Sequence, residues 1–466
     1  MSDIPMAANG LRGTRLAMAA LSIYIGMICA NLDMVILQNA LPSLTHDLAV
    51  PPHTAVWVVT LYMLSMLVFL LPLSSLSDRI GYKRTYLWGF GLFALASLGC
   101  GGASGFLPLQ AWRAVQGIGA AAMMCSTTSL IRLVYPSQLM ARAIAANATV
   151  VAVSLAAGPS IAAVILAHGN WHWLFWVNVP LGLLALLIGS FALPPNPVQL
   201  ELRKGTAGDW LAAVKVIDLP SFLLSSAFFI ALVLGSGRIG EEPLQGSLLL
   251  GLTALLGVAF VRRERRTKAP MLPMDLLAER QYGLTILTSF ASFAAQGAAF
   301  VAMPFYFQHQ LGLSLAQSAL VITAWPVALA LSAPMAPRLT EQLSIAKVCA
   351  IGLAGLALGL ASIASGWVPA TPIVLAVALA VCGAGFGLFQ APNNYLIIAS
   401  APAARSGAVG GLRAVTRTFG QLTGTATVGL MLALQLRLGI NGAVTGLFAA
   451  SALAAVASYA SVSRGR

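Results

Sequence analysis

Charge is what these 466 residues have least of. Only 8% are Asp, Glu, Lys or Arg, against about 25% in a water-soluble domain, and so few charges cannot cover a surface that faces water. Acids are the scarcer sign, 13 against 26 basic residues. The resulting net charge of +13 does not make a nucleic-acid binder, because the bases stand in short stretches between apolar runs and not along one face of a domain. The five cysteines (Cys29, Cys100, Cys125, Cys349 and Cys382) all fall inside apolar runs; with none in a loop, a disulfide framework is excluded and they read as small packing residues. No GxxxxGK[ST] run is present, which removes ATP as the driver. HExxH and CxxC are missing too, and His46, His53, His168, His172 and His309 are scattered, so neither a metal site nor a cofactor is expected.

Long apolar runs are what the chain has instead. A helix crossing a bilayer takes about 20 apolar residues, and such segments lie at 16–38, 55–76, 85–104, 107–130, 141–167, 173–193, 217–236, 245–261, 282–307, 317–336, 346–365, 371–399, 406–435 and 442–462. The first is too long for a signal-peptide core and leads straight into further runs, so it reads as a retained span. Fourteen spans put both termini on one side. Of the 26 basic residues, only Arg238 and Arg437 then fall in outer loops, and Arg113, Arg413 and Arg417 within spans. All the others, from Arg12 and Arg15 to Arg464 and Arg466, lie in inner tails and loops, as the positive-inside rule requires.

The longest polar stretches, 194–216 and 262–281, bracket two spans. Setting that pair aside leaves six spans before and six after, a plan of two pseudo-symmetric halves. The expected organisation is an all-α polytopic membrane protein: a six-helix half over 1–193, two extra helices with linkers over 194–281, and a six-helix half over 282–466.

One acid stands apart. Asp33 is well inside the first span, in Leu32-Asp33-Met34-Val35-Ile36-Leu37-Gln38-Asn39-Ala40-Leu41-Pro42, whereas the other twelve lie in tails, loops or span ends. A carboxylate within a bilayer is costly and is a functional candidate by default. The fourth span carries Arg113, Gln116 and Gly117 in Arg113-Ala114-Val115-Gln116-Gly117-Ile118-Gly119. Asp33 sits about 8 Å below the outer end of its span and Arg113 about 9 Å below that of its own, at 1.5 Å per residue. Opposite charges at matching depth can pair, and a conformational change that separates or hydrates them would alter how the acid holds a proton. Elsewhere, Ser74 to Arg84 forms a short basic loop in which Asp78 can accept backbone N–H groups at a helix N-terminus, Gly81 permits a tight turn, and Arg79 and Arg84 hold the loop inside. Gly158-Pro159 in the fifth span combines close approach with a bend. Gly383, Gly385, Gly387 and Pro392, with Asn393, are expected to interrupt the twelfth span.

These segments resemble motifs of the major facilitator superfamily, in its fourteen-helix drug:proton antiporter branch. Ser74-Ser75-Leu76-Ser77-Asp78-Arg79-Ile80-Gly81-Tyr82-Lys83-Arg84 is similar to the family's cytoplasmic GxLaDrxGrk loop, the Asp33 segment to LDxTIVNVALP, and the Arg113 segment to RxxqGxg. Gly158-Pro159 resembles the antiporter motif gxxxGPxxGG, and Trp171 to Gly182 resembles WRWiFliNvPiG. Ser74, Val35, Gln38, Asn39, Ser154, Ala162, Ala163 and His172 depart from these patterns. The resemblance implies a major-facilitator fold in a bacterial inner membrane, both termini cytoplasmic, working as a monomer without a nucleic-acid partner. It implies export of lipophilic drug-like molecules, cations foremost, in exchange for protons, with Asp33 and Arg113 as coupling residues. Met34, Gln38, Tyr62, Met123, Phe300, Trp325, Phe389, Asn393 and Arg417 are candidates for an adaptable apolar cavity; Arg413 and Arg417 leave neutral or anionic substrates open. Export of a metabolite or siderophore is the alternative of the same class. A membrane-embedded enzyme would need clustered catalytic groups at one membrane face, and a sensor a sizeable soluble domain; neither is evident.

Overall fold

A computed structural model describes residues 10–195, 218–240, 242–267, 272, 274–399 and 406–464. All regular structure among these residues is helical, the outcome that apolar chains reach when no water can satisfy backbone polar groups. The long helices are α1 (Gly13–Asp47), α2 (Trp57–Ile80), α3 (Tyr82–Gly101), α4 (Phe106–Val134), α5 (Met140–His168), α6 (Asn178–Ala192), α7 (Leu219–Arg238), α8 (Pro243–Arg266), α9 (Arg280–Phe305), α10 (Leu315–Ser332), α11 (Ile345–Ala364), α12 (Pro372–Ala399), α13 (Ser406–Leu438) and α14 (Gly442–Arg464).

Twelve stretches of the described residues are long and apolar enough to cross a membrane, two fewer than the fourteen spans expected. The two helices that fall short are α3 and α13. The first opens on Lys83 and Arg84 and spreads Gly89, Gly91, Tyr86 and Trp88 among its apolar residues. The second carries Arg413, Arg417 and Arg437 with several threonines. Length they have; apolarity is what they lack.

The chain divides into two compact units, one built from Met1–Met34, Leu61–Ser154 and Asn170–Ala227, the other from Val35–Thr60, Leu155–Gly169 and Phe228–Arg466. In the first, α3 packs on α4 and on α6. A Cβ added at Gly89 would come within 2.8 Å of the Gly119 carbonyl, and one at Gly119 within 2.7 Å of the Gly89 carbonyl. Without side chains at these two points the helices approach backbone to backbone. The second unit repeats the device: α11 and α12 meet at Gly352 and Gly385, each of which would drive a Cβ into the other's carbonyl. In the same unit α9 lies against α13 and α14, and α10 against α12.

The expected interruption of the twelfth span is not found. Helix α12 runs unbroken through Gly383, Gly385, Gly387 and Pro392. The glycines serve contact instead: a Cβ at Gly383 would meet the Trp325 carbonyl, and one at Gly387 the Ser332 hydroxyl. On the added pair of helices, Leu223, Leu244, Leu248 and Leu255 are exposed, an apolar outer face suited to lipid.

Candidate functional site

The first unit buries a complete ion pair. Asp33 and Arg113 have no solvent exposure, and Arg113 Nη1 donates to Asp33 Oδ2 at 2.6 Å. The other carboxylate oxygen, Oδ1, accepts from Gln116 Nε2 and from Asn178 Nδ2, each at 2.9 Å. The network continues outward. Gln116 Nε2 also donates to Ser97 Oγ at 2.9 Å, Gln116 Oε1 accepts from Arg113 Nη1, and the Cys100 thiol points at the same oxygen at 3.7 Å. Tyr62 lies over the guanidinium, 4.2 Å from its carbon to the ring centroid, and Phe175 lies at 5.7 Å.

Four helices bring these groups together. Asp33 comes from α1, Arg113 and Gln116 from one face of α4 at a spacing of three residues, Ser97 and Cys100 from α3, and Asn178 from the start of α6. Gly117 makes the placement of α4 possible, since a Cβ there would run into the Tyr62 carbonyl on α2.

Chemically, the carboxylate is met by donors only. An acceptor held by three N–H groups is compatible with the ionised form. Oδ1 accepts two of these bonds and Oδ2 one. Removing one partner of such a pair strands the other charge, at a cost of about 3–5 kcal/mol.

The remaining sequence candidates are placed as follows. Gly81 joins α2 to α3 with φ of +100°, a backbone conformation that favours glycine. Arg84 is exposed; the side chains of Asp78 and Arg79 lie outside what the structure describes. Next to them, Lys83 Nζ donates to the carbonyls of Ser190 and Leu193 at 2.7 Å each, capping the end of α6. Helix α5 continues through Pro159, and Gly158 lets it lie against Val35 of α1.

Among the cavity candidates, Met34, Gln38, Met123, Phe300, Trp325, Phe389 and Asn393 are all buried. Tyr62 belongs to the arginine cluster just described. Phe300, Trp325, Phe386, Phe389 and Phe293 form a chain of ring contacts with centroids 5.2–6.3 Å apart. Of the cavity candidates, the buried Trp325 indole N–H and Gln38 Oε1 find no hydrogen-bond partner among the described residues. The Arg417 guanidinium lies 5.8 Å from the Phe293 ring centroid. Asn393 is engaged otherwise, by Arg464 at 2.6 Å and Ser289 at 3.2 Å.

Sequence reasoning did not assign Asn178, Ser97 or Arg464 a part. Asn178 lay in a quoted segment whose aromatic residues drew the attention, and its spacing to Asp33 carries no signal. Ser97 is one serine among many in apolar runs.

A family model described as the Major Facilitator Superfamily matches residues 23–425. The uncharacterized transporter YebQ of Escherichia coli K12 is 39% identical, over 97% of this chain and 96% of its own length. The multidrug resistance protein Stp of Mycobacterium tuberculosis is 28% identical, over 88% of this chain and 74% of its own. Among solved structures, a D-xylose–proton symporter superposes with a TM-score of 0.66 at 13% identity, covering 96% of this chain and 97% of the symporter; at that identity the likeness is one of fold.

Proposed function

The chain belongs to the Major Facilitator Superfamily, a multi-pass membrane transporter and not an enzyme, and from that premise we propose that it exports lipophilic drugs or toxic compounds in exchange for protons. The observation that carries the reading is the fully buried cluster of Asp33, Arg113, Gln116 and Asn178. Protonating Asp33 removes the charge that holds Arg113, so the pair can open, and proton uptake is thereby coupled to a change of conformation. In alternating access that change decides which side of the bilayer the transport path faces. The similarity to Stp supports drugs as the cargo.

In this reading the chain sits in a bacterial inner membrane as a monomer with cytoplasmic termini. It has fourteen spans, with α3 and α13 shielded by their neighbours, arranged as six-helix halves over 1–193 and 282–466 and an added pair over 194–281. The matching glycine contacts support this plan, because α3 and α4 are the third and fourth helices of the first set, and α11 and α12 of the last. Asp78, Arg79, Gly81 and Arg84 latch one side, and Gly158-Pro159 forms the hinge of α5. The aromatic chain around Trp325 offers the apolar contact, and the unpaired Trp325 N–H offers one hydrogen bond to a substrate acceptor. Cationic compounds gain an ion pair only in the state in which Asp33 has released Arg113, so proton and cation compete for one carboxylate.

The test is efflux of a panel of fluorescent cationic, neutral and anionic compounds from cells expressing the chain, with and without a protonophore. Extrusion that collapses with the proton gradient supports the proposal. Extrusion indifferent to the protonophore, or none of any compound, would overturn it.

A further inference from the structure

We propose that Arg413 and Arg417, on one face of α13, form an oxyanion site that selects aromatic carboxylates or sulfonates as cargo. Export itself, and its direction, rest on the function proposed above. Within the spans, Asp33 and Arg113 are spent on each other. Arg413 and Arg417 have no such partner. Among the described residues neither guanidinium makes a hydrogen bond or an ion pair, and the one charge that acts on Arg417 is that of Arg413. A charge inside a bilayer without a counter-ion is costly, and two of one sign on the same helix face are more so. Helix α13 begins at Ser406, which sets Arg413 about 10 Å and Arg417 about 16 Å along its axis at 1.5 Å per residue. In a hydrocarbon core about 30 Å thick, Arg417 is too deep to be a headgroup anchor. A cation has to wait until Asp33 releases Arg113. An anion finds its counter-charge already unpaired.

Packing against α9 positions the pair. A Cβ at Gly420 would lie 2.6 Å from the Phe290 carbonyl, and one at Gly424 would run into that of Ala294, so α13 meets α9 backbone to backbone. This brings Arg417 over the Phe293 ring of α9, with 5.8 Å from the guanidinium carbon to the centroid. A ring takes the flat face of a guanidinium and leaves the N–H groups at its edge, which match two oxygens of one carboxylate or sulfonate. Both arginine side chains are half-buried, and none of their nitrogens is among the buried groups without a partner, so a ligand can reach them. That separates them from Arg464, whose Nε and Nη2 are sealed from solvent. The polar stripe ends one turn on, at buried Gln421, which gives its amide hydrogen to Gln296 at 3.1 Å. Phe293 continues through Phe386 to Trp325, the aromatic chain that in the export reading meets the apolar part of a substrate. An oxyanion on the arginines with a ring system toward that chain describes an amphipathic aromatic anion.

The experiment titrates the purified full chain in dodecyl maltoside, by isothermal calorimetry, with naphthalene-1-sulfonate, naphthalene-1-sulfonamide, 1-naphthyltrimethylammonium and methanesulfonate. The naphthalenes share the ring and differ in charge, whereas methanesulfonate keeps the oxyanion and lacks the ring. Naphthalenesulfonate should bind about tenfold tighter than each of the others, the difference that one charge-assisted hydrogen bond makes. Arg417→Gln should lose about tenfold or more of that affinity. Arg417→Lys, which keeps the charge and not the fork, should retain part of it, and Arg413→Gln should cost a smaller factor. Equal affinity for the naphthalenes, equal affinity for methanesulfonate, no sulfonate binding, or undiminished binding in the Arg413→Gln/Arg417→Gln double variant would each overturn the proposal. The ligand comparison on the wild-type protein decides the matter even if a variant does not fold. Protonophore-sensitive efflux of the same compounds separates the site from the export function. Charge-selective binding without any export would fault the export function and leave the site standing. Export of the cation alone would leave the export function standing and overturn the site's role in selecting cargo.

Discussion

Two arginines among the described residues are buried under opposite terms. Arg113, in the first unit, faces a carboxylate, an amide oxygen and an aromatic ring. Arg464, in the second, has a neutral amide oxygen and the Cys349 thiol beside it, and no carboxylate among the described residues. A buried pair is internally neutral and can be reorganised only by moving a proton or opening the cluster. A buried cation without a carboxylate keeps its charge on neutral partners. Burial alone thus says little about what a charge is for, and the partners say nearly everything.

The strongest way to break this comparison is at Asp33. Asp33→Asn should abolish protonophore-sensitive efflux in inverted vesicles, and it should also strand Arg113, destabilising the protein by about 3–5 kcal/mol. Adding Arg113→Gln to that variant should restore most of the stability and none of the transport. Ordinary efflux by the single variant would remove Asp33 from the coupling step. Restored efflux in the double variant would mean that the pair is structural only.

The next contrast sets the two arginines against each other. Arg113→Gln leaves a carboxylate buried with amide donors alone and should cost about 3–5 kcal/mol. Arg464→Gln leaves one neutral Asn393 oxygen without its donor and should cost about 1–2 kcal/mol, less still because two unsatisfied N–H groups go with it. Denaturant or thermal unfolding in the same detergent measures both, and equal costs would erase the distinction. Between these two comes Asn178→Ala. Asp33 Oδ1 would keep its bond from Gln116, so the loss should be about 1–3 kcal/mol, with efflux slowed and its pH dependence displaced.

Some of this was legible in the sequence and some was not, for physical reasons. Hydrophobic length and the alternation of basic residues locate spans because a bilayer imposes one thickness on every helix. The same thickness let Asp33 and Arg113 be matched by depth. Depth is a single coordinate, however, and the rotation of each helix supplies the rest. Asn178 and Ser97 join the cluster by rotation, so nothing in their spacing announced them. Arg464 read as one more anchor in an inner tail, because a base at the end of a span usually reaches water. It is buried here because α14 packs on α9 and α11 through small residues, Ser458 and Ser461 donating to Ala350 and Ala346, and draws its last turn inward. The glycines of α12 were misread for a related reason. Glycine removes a side chain, and whether a helix uses that to break or to approach a neighbour depends on the neighbour.

Lys83 supplies the mildest contrast, being a base at a helix end like Arg464 but one that solvent reaches. Its ammonium donates to two carbonyls at the end of α6, and Arg15 Nε reaches the Ala192 carbonyl of the same turn at 3.4 Å. In Lys83→Ala, water can take over the Ser190 carbonyl, and Arg15 still covers the turn. The loss should be about 0.5–1.5 kcal/mol, read as a small drop in melting temperature with efflux unchanged. A loss as large as that for Arg113→Gln would show that accessible and buried bases are valued alike in this protein.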